Sequence, residues 1–119
     1  MARRPTLLVV DDDPAIRATV ADFLDLEGYS VKTAANGVEA LRTVASQRPA
    51  LVLLDMRMPV LDGWGFARRL HRAGLDVPIL VMTAAYDAED WAREIGAAGC
   101  VAKPFDVNDL LDAVRRLVP

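Results

Sequence analysis

Cysteine occurs once in the 119 residues, at Cys100, and histidine once, at His71. A single cysteine excludes an internal disulfide or a cysteine cluster. A single histidine argues against the usual structural zinc sites, which are built from several Cys and His ligands. Aromatic residues make up 6% of the chain against 53% hydrophobic residues overall, so the core must be aliphatic. No apolar run approaches the roughly 18 residues of a membrane span. No apolar leader with a cleavage site precedes Thr6. There is no basic run of the kind that marks a nucleic-acid footprint, and the formal net charge is −3. The expectation is a soluble cytoplasmic protein forming one domain over residues 1–119, with no direct nucleic-acid or membrane contact.

What the chain does have is short apolar runs that end on charge. Leu51-Val52-Leu53-Leu54 stops at Asp55, with Pro59 and the Asp62-Gly63 turn beyond it. A run of that length bounded by turn residues reads as a strand buried on both faces. Thr6-Leu7-Leu8-Val9-Val10 is a second, and it stops at Asp11-Asp12-Asp13. Ile79-Leu80-Val81-Met82 is a third and ends at Thr83, and the short Cys100-Val101-Ala102 ends at Lys103-Pro104. Ser30 to Ala34 alternates weakly and completes a set of five.

Helical patterns lie between the strands. Asp13 is the natural N-cap for a helix opening at Pro14, whose missing N–H costs nothing there, and Gly28 closes it. Asn36-Gly37 reads as a turn, followed by an apolar stripe from Val38 that Pro49 ends. Phe66, Leu70 and Ala73 predict a third helix with Arg68, Arg69 and Arg72 on its wet side. Trp91, Ile95 and Ala98 predict a short fourth one, and Asp106 caps a fifth running to Val118. Strands alternating with helices predict an α/β domain: a single doubly wound parallel sheet covered on both faces.

All strand ends of a parallel sheet face the same way, so Asp11, Asp12, Asp55, Thr83 and Lys103 converge on one edge, where ligands bind in open α/β sheets. Three close carboxylates raise each other's pKa values unless a cation compensates. A hard divalent ion such as Mg²⁺ takes oxygen ligands, commonly one or two carboxylates plus a phosphate. A carboxylate can itself be the nucleophile and form an aspartyl phosphate, with a lysine and a hydroxyl stabilising the transferring group. Asp55, alone at the centre of the edge, is the candidate nucleophile.

Four stretches carry a resemblance to a family. Val9-Val10-Asp11-Asp12, Leu54-Asp55-Met56-Arg57-Met58-Pro59 with Asp62-Gly63, Met82-Thr83-Ala84 and Lys103-Pro104-Phe105 occur in this order. On them the chain resembles the CheY-like receiver domains of two-component response regulators over essentially its full length. The resemblance implies a flavodoxin-like five-stranded sheet of order 2-1-3-4-5 flanked by five helices. It implies that Asp55 accepts a phosphoryl group from the phosphohistidine of a sensor histidine kinase or phosphotransfer protein. It also implies Mg²⁺ held by Asp12 directly and by Asp11 largely through water, with Asp55 and the Arg57 carbonyl completing the set. Thr83 and Lys103 would bind the phosphoryl oxygens, and Pro104 would follow a cis bond. The domain would switch binding to a downstream protein as a monomer or a phosphorylation-dependent dimer, and would not be an enzyme beyond its own phosphorylation and dephosphorylation.

The chain departs from the family pattern at Cys100, where receivers usually place the Tyr or Phe of their switch, and in a Thr83–Lys103 segment one or two residues shorter than usual. Arg57 and Ala85 occupy positions that tune phosphoryl lifetime in the family. Other readings are a receiver fold that only binds, an aspartate-nucleophile phosphohydrolase of the haloacid-dehalogenase type, and a flavodoxin-like electron carrier. The second lacks a Thr or Val at Ala15, and the third lacks a Gly/Ser/Thr-rich loop after the first strand. Trp64 and Trp91 read as packing or partner contacts, His71 as a surface residue and Cys100 as a small buried apolar residue.

Overall fold

The computed structural model describes residues 4–84 and 86–119. Ten elements alternate: β1 (Thr6–Val10), α1 (Pro14–Leu26), β2 (Ser30–Ala34), α2 (Gly37–Ser46), β3 (Leu51–Asp55), α3 (Gly63–Arg72), β4 (Ile79–Ala84), α4 (Ala88–Ile95), β5 (Gly99–Lys103) and α5 (Val107–Leu117). The strands are parallel and form one sheet of order β2-β1-β3-β4-β5. Ala85, noted in the sequence, lies outside the described residues.

The apolar runs of β1, β3 and β4 serve two cores at once, because successive side chains of a strand point to opposite faces. Leu8, Val10, Val52, Leu54 and Val81 face the layer of α2, α3 and α4. Leu7, Val9, Leu51, Leu53, Leu80 and Met82 face that of α1 and α5. All eleven are fully buried. The outer strands β2 and β5 are wetter, which is why only they look weak in the sequence. Cys100 lies on β5 and is half-buried, packed against the α2–α4 side and not enclosed as its small apolar side chain suggested. Burial first, and then the Glu89 carboxylate, push its thiol pKa up, which opposes a reactive thiolate.

Capping fixes the helix starts. Asp13 accepts from the N–H groups of Ala15 and Ile16, Asp62 from Gly65, and Asp106 from Asn108. Asn36 caps α2 through a 2.9 Å bond from Glu39 N–H, and Glu39 reaches back to the Ala35 N–H. Asn36-Gly37 is thus the opening of a helix instead of a free turn, because the Asn–Glu pair satisfies the orphan donors at both sides.

The loop from β3 to α3 is tied down at both ends. Gly37 N–H donates to the Leu61 carbonyl (3.1 Å), and Gly63 N–H donates to the Met56 carbonyl (2.9 Å). Both contacts are close: a Cβ on Gly37 would sit 2.6 Å from the Leu61 oxygen, and one on Gly63 2.9 Å from Met56 Cα. Between the ties, Leu61 N–H bonds the Pro59 carbonyl across Val60, whose φ is +73°. That is a γ-turn of the strained hand, adopted by a β-branched residue with its side chain in solvent.

Val60→Gly is therefore expected to stabilise the fold. Relief of the left-handed conformation is worth about 1–2 kcal/mol, and the added unfolded-state freedom of glycine removes about 0.5–1 kcal/mol of that. Urea unfolding should show a higher midpoint with an unchanged m-value.

Candidate functional site

Register alone brings the acidic groups together. Val10 of β1 pairs with Leu54 of β3, so the next residues, Asp11 and Asp55, stand side by side. Asp55 pairs with Met82, which places Thr83 one step further out on β4, and Ala84 pairs with Lys103. All five residues expected at this edge are there: Asp11, Asp55 and Thr83 buried, Lys103 half-buried and Asp12 exposed. Carboxylate oxygens of Asp11, Asp12 and Asp55 lie within 4.8 Å of one another.

The groups are oriented from several sides. Lys103 Nζ donates to Asp11 Oδ2 at 2.8 Å and stands 3.8 Å from Asp55 Oδ1. The Asp13 N–H donates to the other Asp11 oxygen at 3.0 Å, and Arg17 Nη1 donates to the Asp11 backbone carbonyl at 2.8 Å. Arg17 was not singled out by sequence reading, and its only signal is a cation in the first turn of the helix that follows the acidic run. The Lys103-Pro104 bond is cis, as the family resemblance implied.

Asp55 is the electrostatic pressure point. Its pKa is pushed up to about 6, chiefly by burial and in smaller part by Asp11 and Asp12, against the opposing pull of Lys103 and of the Arg57 backbone N–H. Keeping it ionised at neutral pH therefore costs about 2–3 kcal/mol. Each fully buried Leu or Val of β3 contributes about 1.5–3 kcal/mol, so the strand that carries Asp55 readily offsets that cost. The donor set is all oxygen and anionic, and a hard divalent cation would relieve both its repulsion and its excess charge. The chemistry of the residues present fits Mg²⁺.

Beside this edge lies an aromatic cluster. The guanidinium carbon of Arg57 is 5.1 Å from the centroid of the Trp91 ring. Trp91 meets Trp64 edge-to-face, with centroids 4.8 Å apart. Trp64 Nε1–H donates to Glu94 at 2.7 Å. The tryptophans pack on each other, the first of the two roles, packing or partner contact, expected of them, and their tie to Arg57 was not legible. His71 is exposed with the arginines of α3.

A doubly wound parallel sheet carrying a carboxylate triad, a hydroxyl and a lysine at its carboxyl edge is the architecture of a phosphoacceptor signalling domain. The sequence matches the response regulator receiver domain family over residues 7–115, and the chain belongs to it. It is 38% identical over 115 residues to sporulation initiation phosphotransferase F of Bacillus subtilis, covering 95% of this chain and 93% of that protein. It is 43% identical over 114 residues to response regulator MprA of Mycobacterium sp. (strain KMS), covering 94% of this chain but only 50% of that regulator. Among solved structures, chemotaxis response regulator CheY4 of Vibrio cholerae superposes with a TM-score of 0.89 at 32% identity, over 98% of this chain and all of that one. As a receiver, the chain is a signalling domain of two-component systems. Domains of this family interact with histidine kinases or phosphotransfer proteins and typically bind Mg²⁺ at such an acidic pocket. No helix among the described residues is long and apolar enough to cross a membrane.

The raised Asp55 pKa fixes a pH signature for the metal-free protein. Below about pH 4 the folded and unfolded states both carry the proton. Between pH 4 and about 6 only the folded state keeps it, so stability falls as pH rises, and above about 6 the loss is complete. Asp55→Asn should match wild type near pH 4 and exceed it by about 2–3 kcal/mol at pH 7. Urea unfolding across this range in a chelator checks both the sign and the window.

Proposed function

We propose that Asp55 is the phosphoacceptor of this chain and that the whole of residues 1–119 works as one receiver unit. The observation that carries the reading is the Lys103 ammonium, held between the Asp11 and Asp55 carboxylates at the sheet edge. Asp11, Asp12, Asp55 and the backbone carbonyl of Arg57 would hold Mg²⁺, which when bound neutralises charge on the transferring phosphoryl group. An ionised Asp55 oxygen attacks phosphorus as the P–N bond to the donor histidine breaks and its electron pair returns to the imidazole. With a pKa near 6, Asp55 is mostly ionised at neutral pH. Lys103 is already in place to pair with a phosphoryl oxygen, and the buried Thr83 hydroxyl stands one residue beyond the register partner of Asp55. Positioning and charge stabilisation of this kind supply most of phosphoryl-transfer catalysis.

On this reading the donor is a sensor histidine kinase or a phosphotransfer protein in the cytoplasm. Turnover is confined to the domain's own phosphorylation and dephosphorylation. The output is altered binding of a protein partner, driven by Thr83 moving toward the new oxygens and by the displacement reaching α4.

Incubation with acetyl phosphate and Mg²⁺ should add the mass of one phosphoryl group, detected by intact-protein mass spectrometry. Asp55→Asn should abolish the gain, and unchanged labelling of that variant would remove Asp55 from the role.

Metal binding gives an independent check. Loss of a mere outer-shell partner weakens metal sites by about 10–100-fold, so Asp12→Ala should weaken Mg²⁺ binding at least about tenfold in calorimetry. Its unfolding midpoint without metal should hold or rise, because a repelling carboxylate is gone. An unaltered affinity would place the metal elsewhere.

A further inference from the structure

α4 buries less side chain than the other helices. α3 buries Phe66 and Leu70, and α5 buries Leu110, Leu111 and Val114, whereas α4 puts only the two small side chains of Ala88 and Ala92 fully into the core. Its N-terminus has no side-chain cap, since Asp87 accepts no bond from the first turn. Its larger side chains are only partly buried: Trp91 and Ile95 pack against the edge of the core, and Trp91 and Glu94, which share one helix face, hold Trp64 of α3. Trp91 also receives the guanidinium of Arg57 from the loop after β3.

Arg57 is exposed, and among the described residues its guanidinium is paired with no carboxylate. It lies against the indole face of Trp91. It leaves the backbone two residues after Asp55, on a side chain long enough to point either way. The two other cations at this edge are already engaged, Lys103 with Asp11 and Asp55 and Arg17 with the Asp11 backbone carbonyl. A phosphoryl group on Asp55 adds three oxygens, more acceptor positions than a bound Mg²⁺ and the Lys103 ammonium together occupy. Charge-assisted, forked hydrogen bonds from a guanidinium to such oxygens are stronger than the hold of an exposed indole face.

We propose that Arg57 is a two-position arm that reports phosphorylation to α4. Before transfer its guanidinium lies on Trp91; once Asp55 is phosphorylated it turns to the phosphoryl oxygens and leaves the ring. The release removes one of the few large contacts of a weakly anchored helix, and α4 with its Trp91–Glu94 face becomes free to shift against α3. The coupling needs no bulky side chain on β5, where the half-buried Cys100 stands. It rests on the reading of Asp55 as phosphoacceptor and assigns a positioning role to the Arg57 side chain, separate from its backbone carbonyl.

The test uses the whole chain carrying Trp64→Phe, which leaves Trp91 as the one indole. With Mg²⁺ present throughout, the Trp91 indole N–H resonance and the amide exchange of residues 88–95 are recorded before and after acetyl phosphate, with intact mass measured on the same samples. On labelling, the Trp91 resonance should move by more than its line width and exchange over α4 should quicken about two- to fivefold, the loss expected for one exposed cation–π contact. Unlabelled Arg57→Ala in the same background should already exchange at the labelled rate, whereas Arg57→Lys should remain slower than Arg57→Ala. A mass gain with the Trp91 resonance and α4 exchange unmoved overturns the arm while leaving the acceptor intact. Unlabelled Arg57→Ala exchanging at the unlabelled rate overturns it as well. Absence of any mass gain overturns the acceptor reading and the arm with it.

Discussion

Three carboxylates share the carboxyl edge of the sheet with one half-buried ammonium, and the geometry of the domain follows from holding that imbalance in place. Asp11 and Asp55 are side by side because β1 and β3 pair in register, and both are buried because the strands behind them are apolar on both faces. Left to itself, the arrangement is unfavourable, as the pKa of Asp55 records. It persists because two hydrophobic layers, one under α1 and α5 and one under α2, α3 and α4, supply far more stabilisation than the edge removes. The crowded charge also suits the edge to a cation: a divalent metal ion would find groups that gain by its arrival.

The helices are held unevenly. α1 and α5 interlock with the sheet through leucines and valines, and Arg4 further ties the start of the chain to the carbonyls of Gly28 and Tyr29 at the end of α1. α4 instead relies on alanines and on aromatic and polar contacts along its flank. Low local anchoring is the physical condition for a segment to move without unfolding the rest. The β3–α3 loop contrasts with it, since it is pinned by two backbone bonds at glycines too closely approached to accept a Cβ.

Much of this was legible in the residues. Strands buried on both faces are uninterrupted apolar runs, so β1, β3 and β4 stood out, and their polar last residues named the edge. Asp13 and Asp106 were readable as caps because Pro14 and the apolar stripes after them fixed where the helices begin. What escaped depends on three-dimensional proximity with no periodic trace. The bond from Arg17 to the Asp11 carbonyl, the stacking of Arg57 on Trp91 and the left-handed backbone of Val60 each involve one residue and one neighbour. Asn36-Gly37 was misread as a turn because the same dipeptide serves as a helix cap when a glutamate follows at the right distance. Cys100 was expected to be enclosed as a small apolar side chain, but β5 is an outer strand of the sheet and Cys100 is only half-buried there.

The ion pair between Asp11 and Lys103 joins residues 92 positions apart. Because the chain is made from its N-terminus, Asp11, Asp12 and Asp55 all exist before the residue that balances them has been synthesised. The emerging chain therefore carries an uncompensated acidic cluster until β5, the last strand of the sheet, docks beside β4. A chain halted before Lys103 would hold all three carboxylates and lack the ammonium that is paired with them, so the charge balance of the edge arrives with the last strand.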